Sequence, residues 1–174
     1  MARIPPMMVV PPVIFAALAG LFFAGMMRDN ANELPSTLVG LQAPDVAPEP
    51  VPGTDLLTGI DLRSGEVTLV NYWASWCPPC RAEMPAFQQA YTDYKGQDFM
   101  IIAVNATLQD NLTDINAFSS EFGLDFPILL DATGEANRLY QVQALPTSFF
   151  IDKEGIITEV VIGGPIAEAL IRAR

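Results

Sequence analysis

Residues 4–27 carry no charged side chain, an apolar run of 24 residues set between Arg3 and Arg28. A helix needs roughly 20 apolar residues to cross the hydrocarbon layer of a bilayer. Pro5, Pro6, Pro11 and Pro12 crowd the start of the run. The helix is therefore expected from about Met7 onward, with the later prolines tolerated in its first turns. Residues 1–28 read as an N-terminal membrane anchor, or an uncleaved signal. Cutting at the small-x-small site Ala17-Leu18-Ala19 would leave an apolar stub over 20–27, which disfavours a removed signal peptide. From 29 to 53 the pattern turns polar and is broken by Pro35, Pro44, Pro48, Pro50 and Pro52. This stretch predicts a semi-extended, Pro-rich tether leading into a folded domain over 54–174.

Within 54–174 two hydrophobic periods alternate. Residues 56–62 and the turn 63–66 predict a first hairpin or loop. Residues 67–72 (VTLVNY) and 99–104 are apolar, β-branched runs that predict buried strands. Between them Met84, Phe87, Tyr91 and Tyr94 recur at three- and four-residue steps, the stripe of an amphipathic helix ending near Lys95. Leu112, Ile115, Phe118 and Phe122 mark a second helix, with Asp110 or Asn111 as its cap. Residues 126–130 predict a short strand or extended link, and 135–140 a short helix. Residues 148–151 and 156–162 flank the turn Asp152-Lys153-Glu154-Gly155 and predict a hairpin. Residues 165–174 predict a closing helix. Strands alternating with helices, then a hairpin, make an α/β fold with a central mixed sheet flanked by helices.

Composition narrows the chemistry. The 174 residues include 20 Asp and Glu against 9 Lys and Arg, a net charge of −11, which argues against nucleic acid as a partner. There is no histidine, so Ser-His triads, imidazole-bound metals and imidazole proton shuttles are removed together. Any general acid or base must be a carboxylate, lysine, tyrosine, thiol or water. No glycine-rich fingerprint follows a predicted strand, so neither a nicotinamide nor a flavin is expected.

Both cysteines lie in Trp76-Cys77-Pro78-Pro79-Cys80, where strand 67–72 gives way to the first helix. Cys77 falls at or just before the helix N-terminus, where unpaired N–H groups and the macrodipole favour a thiolate. A CxxC pair in that setting is a redox site. A zinc site would need two more ligands, and no other cysteine and no histidine exists to supply them; no metal is expected. A purely structural disulfide would close too short a loop to constrain the unfolded chain much. The redox-active disulfide Cys77–Cys80 is the only prosthetic chemistry expected. Cys77 reads as the nucleophile and Cys80, one turn in, as the resolving thiol. Pro78 and Pro79 have no N–H, which leaves the Cys77 sulfur mainly the donors of Cys80 and Arg81. A thiolate so little stabilised belongs to a reducing couple, which makes Pro78 and Pro79 redox-tuning residues.

The run Asn71-Tyr72-Trp73-Ala74-Ser75-Trp76-Cys77-Pro78-Pro79-Cys80-Arg81-Ala82-Glu83-Met84-Pro85 resembles the thioredoxin-like TlpA/ResA/CcmG (DsbE) family. Its members are membrane-anchored thiol-disulfide oxidoreductases, several serving cytochrome c maturation. The likeness covers about residues 34–163 and implies a thioredoxin-like fold. Leu34-Pro35-Ser36-Thr37-Leu38-Val39-Gly40 is similar to the CcmG type. Ala144-Leu145-Pro146-Thr147-Ser148-Phe149-Phe150-Ile151-Asp152 looks closer to ResA or TlpA, so the subgroup stays open. The resemblance implies that Pro146 is a cis-proline facing the disulfide. The Leu145 backbone would then be left to pair with an extended substrate strand. It also gives Glu83, three residues after Cys80 on one helix face, a role in proton transfer to Cys80 or in raising thiol pKa by repulsion. By position alone Glu83 reads as a solvated carboxylate near the helix start. Asn71 stands where thioredoxins proper hold a buried aspartate, which makes Glu83 more needed. Trp73 is expected in the core and Trp76 as an exposed apolar lip for partner docking.

The expectation is an extracytoplasmic, single-pass membrane-tethered thiol-disulfide reductase, its catalytic domain on the periplasmic side where a disulfide persists. The resemblance implies exported proteins with disulfides as substrates, the CxxCH haem-site cysteines of apocytochrome c among them. It implies an upstream membrane dithiol as electron donor. Two alternatives stay open: an oxidase or isomerase running the same residues in the other direction, and a non-catalytic membrane tether for unfolded clients. Peroxidase chemistry is disfavoured, because the pattern Pro-x-x-x-Thr/Ser-x-x-Cys is missing.

Overall fold

Val67–Trp73 and Phe99–Asn105 are buried along almost their whole length, as strands must be when both faces of a sheet are covered. The computed structural model describes residues 18, 20, 36–45, 49–50, 65–166 and 171. The chain divides into two units, 1–32 and 33–174. In the first unit Leu18 and Gly20 are helical; the rest of the anchor expected over 1–28 lies outside the described residues. Among the described residues no helix is long and apolar enough to cross a membrane. The hairpin or loop expected over 56–62 also lies outside them, as does much of the tether over 29–53.

The second unit carries strands β1 (Glu49–Pro50), β2 (Val67–Trp73), β3 (Phe99–Asn105), β4 (Ile128–Leu130), β5 (Thr147–Ile151) and β6 (Ile157–Ile162). They lie in the order β1-β4-β3-β2-β5-β6. β2 pairs parallel with β3, from Val67 opposite Phe99 to Trp73 opposite Asn105, and β3 pairs parallel with β4. β5 is antiparallel to both β2 and β6, and β1 is antiparallel to β4. The sheet is mixed, as the alternation of periods predicts. The β5–β6 hairpin closes on Asp152, whose Oδ1 accepts from the N–H groups of Glu154 and Ile156.

Among the described residues, three helices with defined bounds pack on this sheet. Helix α1 (Pro78–Tyr94) begins with prolines at its first two positions, where the missing N–H groups would be unpaired anyway. It continues through Pro85 without interruption. Helix α2 (Leu112–Phe122) is capped by Asn111, whose side chain accepts from Asp114 N at 3.0 Å, and ends on the left-handed Gly123. Of the two expected caps, Asn111 takes the role. Helix α3 (Glu135–Leu139) is short, and Tyr140 is its cap. Pro165 and Ile166 are not helical, while Ile171 is; the rest of the closing helix expected over 165–174 falls outside the described residues.

The core is two layers, one on each face of the sheet. Leu69, Trp73, Phe87, Ile101, Phe118 and Phe150 form the layer against α1 and α2. Val70, Tyr72, Ile102, Tyr140, Phe149 and Ile157 form the other. The period of two along β2 sets this partition: Leu69, Asn71 and Trp73 share the face toward α1, while Val70 and Tyr72 face away. One consequence decides the site, because Asn71 enters the protein beneath the first helix. Trp73 is fully buried and stacks on Phe118 with ring centroids 4.6 Å apart. Phe118→Ala should destabilise the fold by about 3–5 kcal/mol, read as a lower urea midpoint with the active-site disulfide still able to form.

Candidate active site

The chain leaves β2 at Trp73 and turns through Ala74 and Ser75, with Cys77 N donating back to Ala74 O at 3.2 Å. Cys77 is the N-cap of α1 in extended conformation, and its Sγ accepts from Cys80 N at 3.3 Å. Arg81 N donates to the Cys77 carbonyl at 3.1 Å, so it opens the helix ladder rather than serving the sulfur. That corrects the sequence reading, which gave the sulfur both donors. With prolines at the two intervening positions, the described donor to Sγ is one N–H. The two sulfurs are joined at 2.05 Å.

Access separates the two cysteines. Both are buried, Cys80 completely and Cys77 to 2% exposure. Cys77 nonetheless lines an open cavity of about 370 Å³ and Cys80 does not. Trp76, Pro78, Pro79, Gln109 and Leu145 also line it. Trp76 is 53% exposed and is fixed at its indole end, Nε1 donating to Gln109 O at 2.7 Å. The Leu145–Pro146 peptide is cis. Pro146 O accepts from Gly163 N at 2.7 Å, and Thr147 Oγ1 donates to Ala144 O at 2.7 Å. Trp76 to Pro79 and the loop from Val142 to Leu145, about 60 residues apart in sequence, meet at this cavity because β2 and β5 are neighbours in the sheet.

Behind Cys80, Glu83 is completely buried. Its Oε1 accepts from Asn71 Nδ2 at 2.9 Å, and its Oε2 from Ile166 N at 3.2 Å. Asn71 Nδ2 also donates to Ser148 Oγ at 2.9 Å, across the β2–β5 pair that sets these residues opposite each other. Burial pushes the Glu83 carboxyl up to about 7, against the pull of the Ile166 N–H and the Asn71 amide. The solvated helix carboxylate suggested by position alone is thereby excluded. Asn71 Oδ1 is buried and has no hydrogen-bond partner among the described residues.

Two comparisons of sequence and one of structure agree with this geometry. The AhpC/TSA family matches residues 39–160. The DsbE homolog of Paracoccus denitrificans, a thiol:disulfide interchange protein, is 39% identical over 158 residues, 90% of this chain and 84% of that one. The thiol-disulfide oxidoreductase ResA of Oceanobacillus iheyensis is 33% identical over 156 residues, 87% of this chain and 77% of that one. The chain belongs to the thioredoxin-like AhpC/TSA family. Like its DsbE and ResA relatives, it is a thiol-disulfide oxidoreductase. The crystal structure of a putative DsbE from Chlorobium tepidum superposes with a TM-score of 0.65 at 33% identity, over 77% of this chain and 93% of that one.

One residue of this oxidoreductase site escaped the sequence. Asp110 read only as a possible helix cap, yet it turns back to the active-site turn. Its Oδ2 accepts from Ser75 N at 2.7 Å and Asn105 Nδ2 at 2.9 Å. Its Oδ1 accepts from Ser75 Oγ at 2.6 Å and Asn111 N at 2.9 Å. Burial raises its carboxyl, but these four donors outweigh burial and hold it below the usual carboxylate range. No local signal could have found it, since Ser75 lies 35 residues away.

The two carboxylates predict opposite responses to pH. The folded Asp110 carboxyl is depressed, so its stabilisation is present above the unfolded value and is lost as pH falls through the folded one. Asp110→Asn should cost about 1–3 kcal/mol near neutrality and should flatten the acid limb of urea stability. Glu83 is raised from 4.5 to about 7. Its contribution is full below 4.5 and is lost as pH rises through about 7. Wild type should therefore lose stability relative to Glu83→Gln across that window, measured as the difference in urea midpoints.

Proposed function

We propose that this oxidoreductase is a membrane-tethered, extracytoplasmic reductase of disulfides in exported proteins, the haem-site cysteines of apocytochrome c among them. The observation that carries this reading is the division of labour at the CxxC. Cys77 opens on a cavity beside the cis-Pro146 loop, while Cys80 faces inward one turn ahead of a buried carboxylate. The anchor expected over residues 1–28 supports the tether, and the names of the relatives, a thiol:disulfide interchange protein and a thiol-disulfide oxidoreductase, support disulfides as the substrate.

The reaction runs in two exchanges. The Cys77 thiolate attacks a partner disulfide, forms a mixed disulfide and releases one partner thiolate. Cys80 then passes its proton to Glu83 and attacks Cys77, and the bond from Cys77 to the partner breaks. The second partner thiolate leaves and takes up a proton. Two electrons have moved to the partner, and Cys77–Cys80 is oxidised. An upstream membrane dithiol reverses this on the enzyme. Trp76 and Leu145 contact the docked segment, and the Leu145 backbone is the edge to which an extended chain adds. Pro78 and Pro79 remove two donors from the sulfur, which keeps the thiolate costly and the couple reducing.

The direction is tested by the reduction potential, expected well below the roughly −120 mV of a strong oxidant; a value there would reverse the reading. A Cys80→Ala variant should trap partners as mixed disulfides on Cys77 in membranes, with apocytochrome c among the captured proteins. Glu83→Gln should slow release from the mixed disulfide by about a hundredfold and flatten its pH dependence between about pH 6 and 9. An unchanged profile would remove Glu83 from the mechanism.

A further inference from the structure

Residues 163–166, immediately after β6, touch both halves of the site. Gly163 N donates to Pro146 O at 2.7 Å, and Ile166 N donates to Glu83 Oε2 at 3.2 Å. Gly164 lies between these two bonds. A Cβ on Gly164 would stand 2.7 Å from Pro146 Cγ and 2.8 Å from Glu83 Oε2, closer than van der Waals contact permits. Gly163 has φ of +82°, whereas Gly164 is outside the left-handed region. The backbone at Gly164 would accept alanine; the space would not. Ile166 is 4% exposed, so the strap is seated at its far end as well.

We propose that Gly164 is a positioning residue: its bare backbone lets the 163–166 strap touch the Pro146 loop and the Glu83 carboxylate together, so that a polypeptide docking on the loop is transmitted to the proton acceptor behind Cys80. This rests on the reading of Glu83 and of the Pro146 loop given above. Displacing Pro146 moves the carbonyl that Gly163 holds, and with it the Ile166 N–H on Oε2. The carboxylate is otherwise met by the Asn71 amide, backed by Ser148, from the sheet. On its own helix Cys80 lies one turn earlier. Among these neighbours Cys80 is the titratable one, and it holds a proton only when the disulfide is reduced.

Gly164→Ala should slow partner release from the mixed disulfide about tenfold near neutrality beyond any slowing of the first attack by Cys77. In a Glu83→Gln background the same substitution should add less than about twofold. A full tenfold loss in that background, or none in wild type, overturns the proposal. Glu83→Gln alone leaving release unchanged would overturn the reading of Glu83 itself, and this inference with it. A second measurement does not depend on the folding of Gly164→Ala. In a Cys80→Ser variant, the Glu83 carboxyl is titrated by carbon-13 resonance with two adducts on Cys77. A peptide long enough to reach the Pro146 loop should move the midpoint by about one unit, and a methylthio group, too small to reach it, should not. Equal midpoints for the two adducts overturn the coupling.

Discussion

A strand buried on both faces runs directly into a helix begun by two prolines, and the chemistry of this protein is arranged around that junction. β2 cannot be exposed on either side, so the chain must leave the sheet at its end, and Cys77 sits where it leaves. The prolines occupy helix positions whose N–H groups have no intrahelical partner. The same substitution that suits the helix start strips donors from the sulfur. One pair of residues therefore both suits the helix start and limits the N–H donors that face the sulfur.

Two carboxylates flank the junction, and their surroundings drive them apart. Asp110 receives four donors and is only partly buried, so its charged form is held. Glu83 receives two neutral donors and is sealed from water, so its charged form is disfavoured. The first suits a fixed anchor, which here ties the turn before Cys77 to the start of α2. The second suits a group that exchanges a proton near neutrality, since such exchange is most effective when the acceptor titrates close to the working pH. In a chain without histidine, burial of a carboxylate is one route to that range.

Much of the site was legible before any coordinates. The CxxC between an apolar run and a helical stripe identified the redox centre, and the Pro146 loop followed from its likeness to a known family. Continuous apolar, β-branched runs located β2 and β3, and the turn over 152–155 located the β5–β6 hairpin, each to within about two residues. Other features were invisible for physical reasons. Arg81 N had seemed available to the sulfur, but helix closure takes it for the Cys77 carbonyl. Asp110 read only as one of two candidate caps, and its second role, holding the Ser75 turn, exists only once that turn folds against it.

What the sequence determined by itself was local: which residues alternate, where helices start and stop, and that two sulfurs share one helix mouth. These follow from side-chain period, proline chemistry and short spacings, all of which act within a few residues along the chain. What only the tertiary structure decided was environment. Glu83 became a buried carboxylate because β2 turns Asn71 inward, β5 brings Ser148 opposite it, and the stretch after β6 folds Ile166 over it. Burial and proton affinity depend on surfaces brought together from distant parts of the chain, and no short-range pattern carries that information.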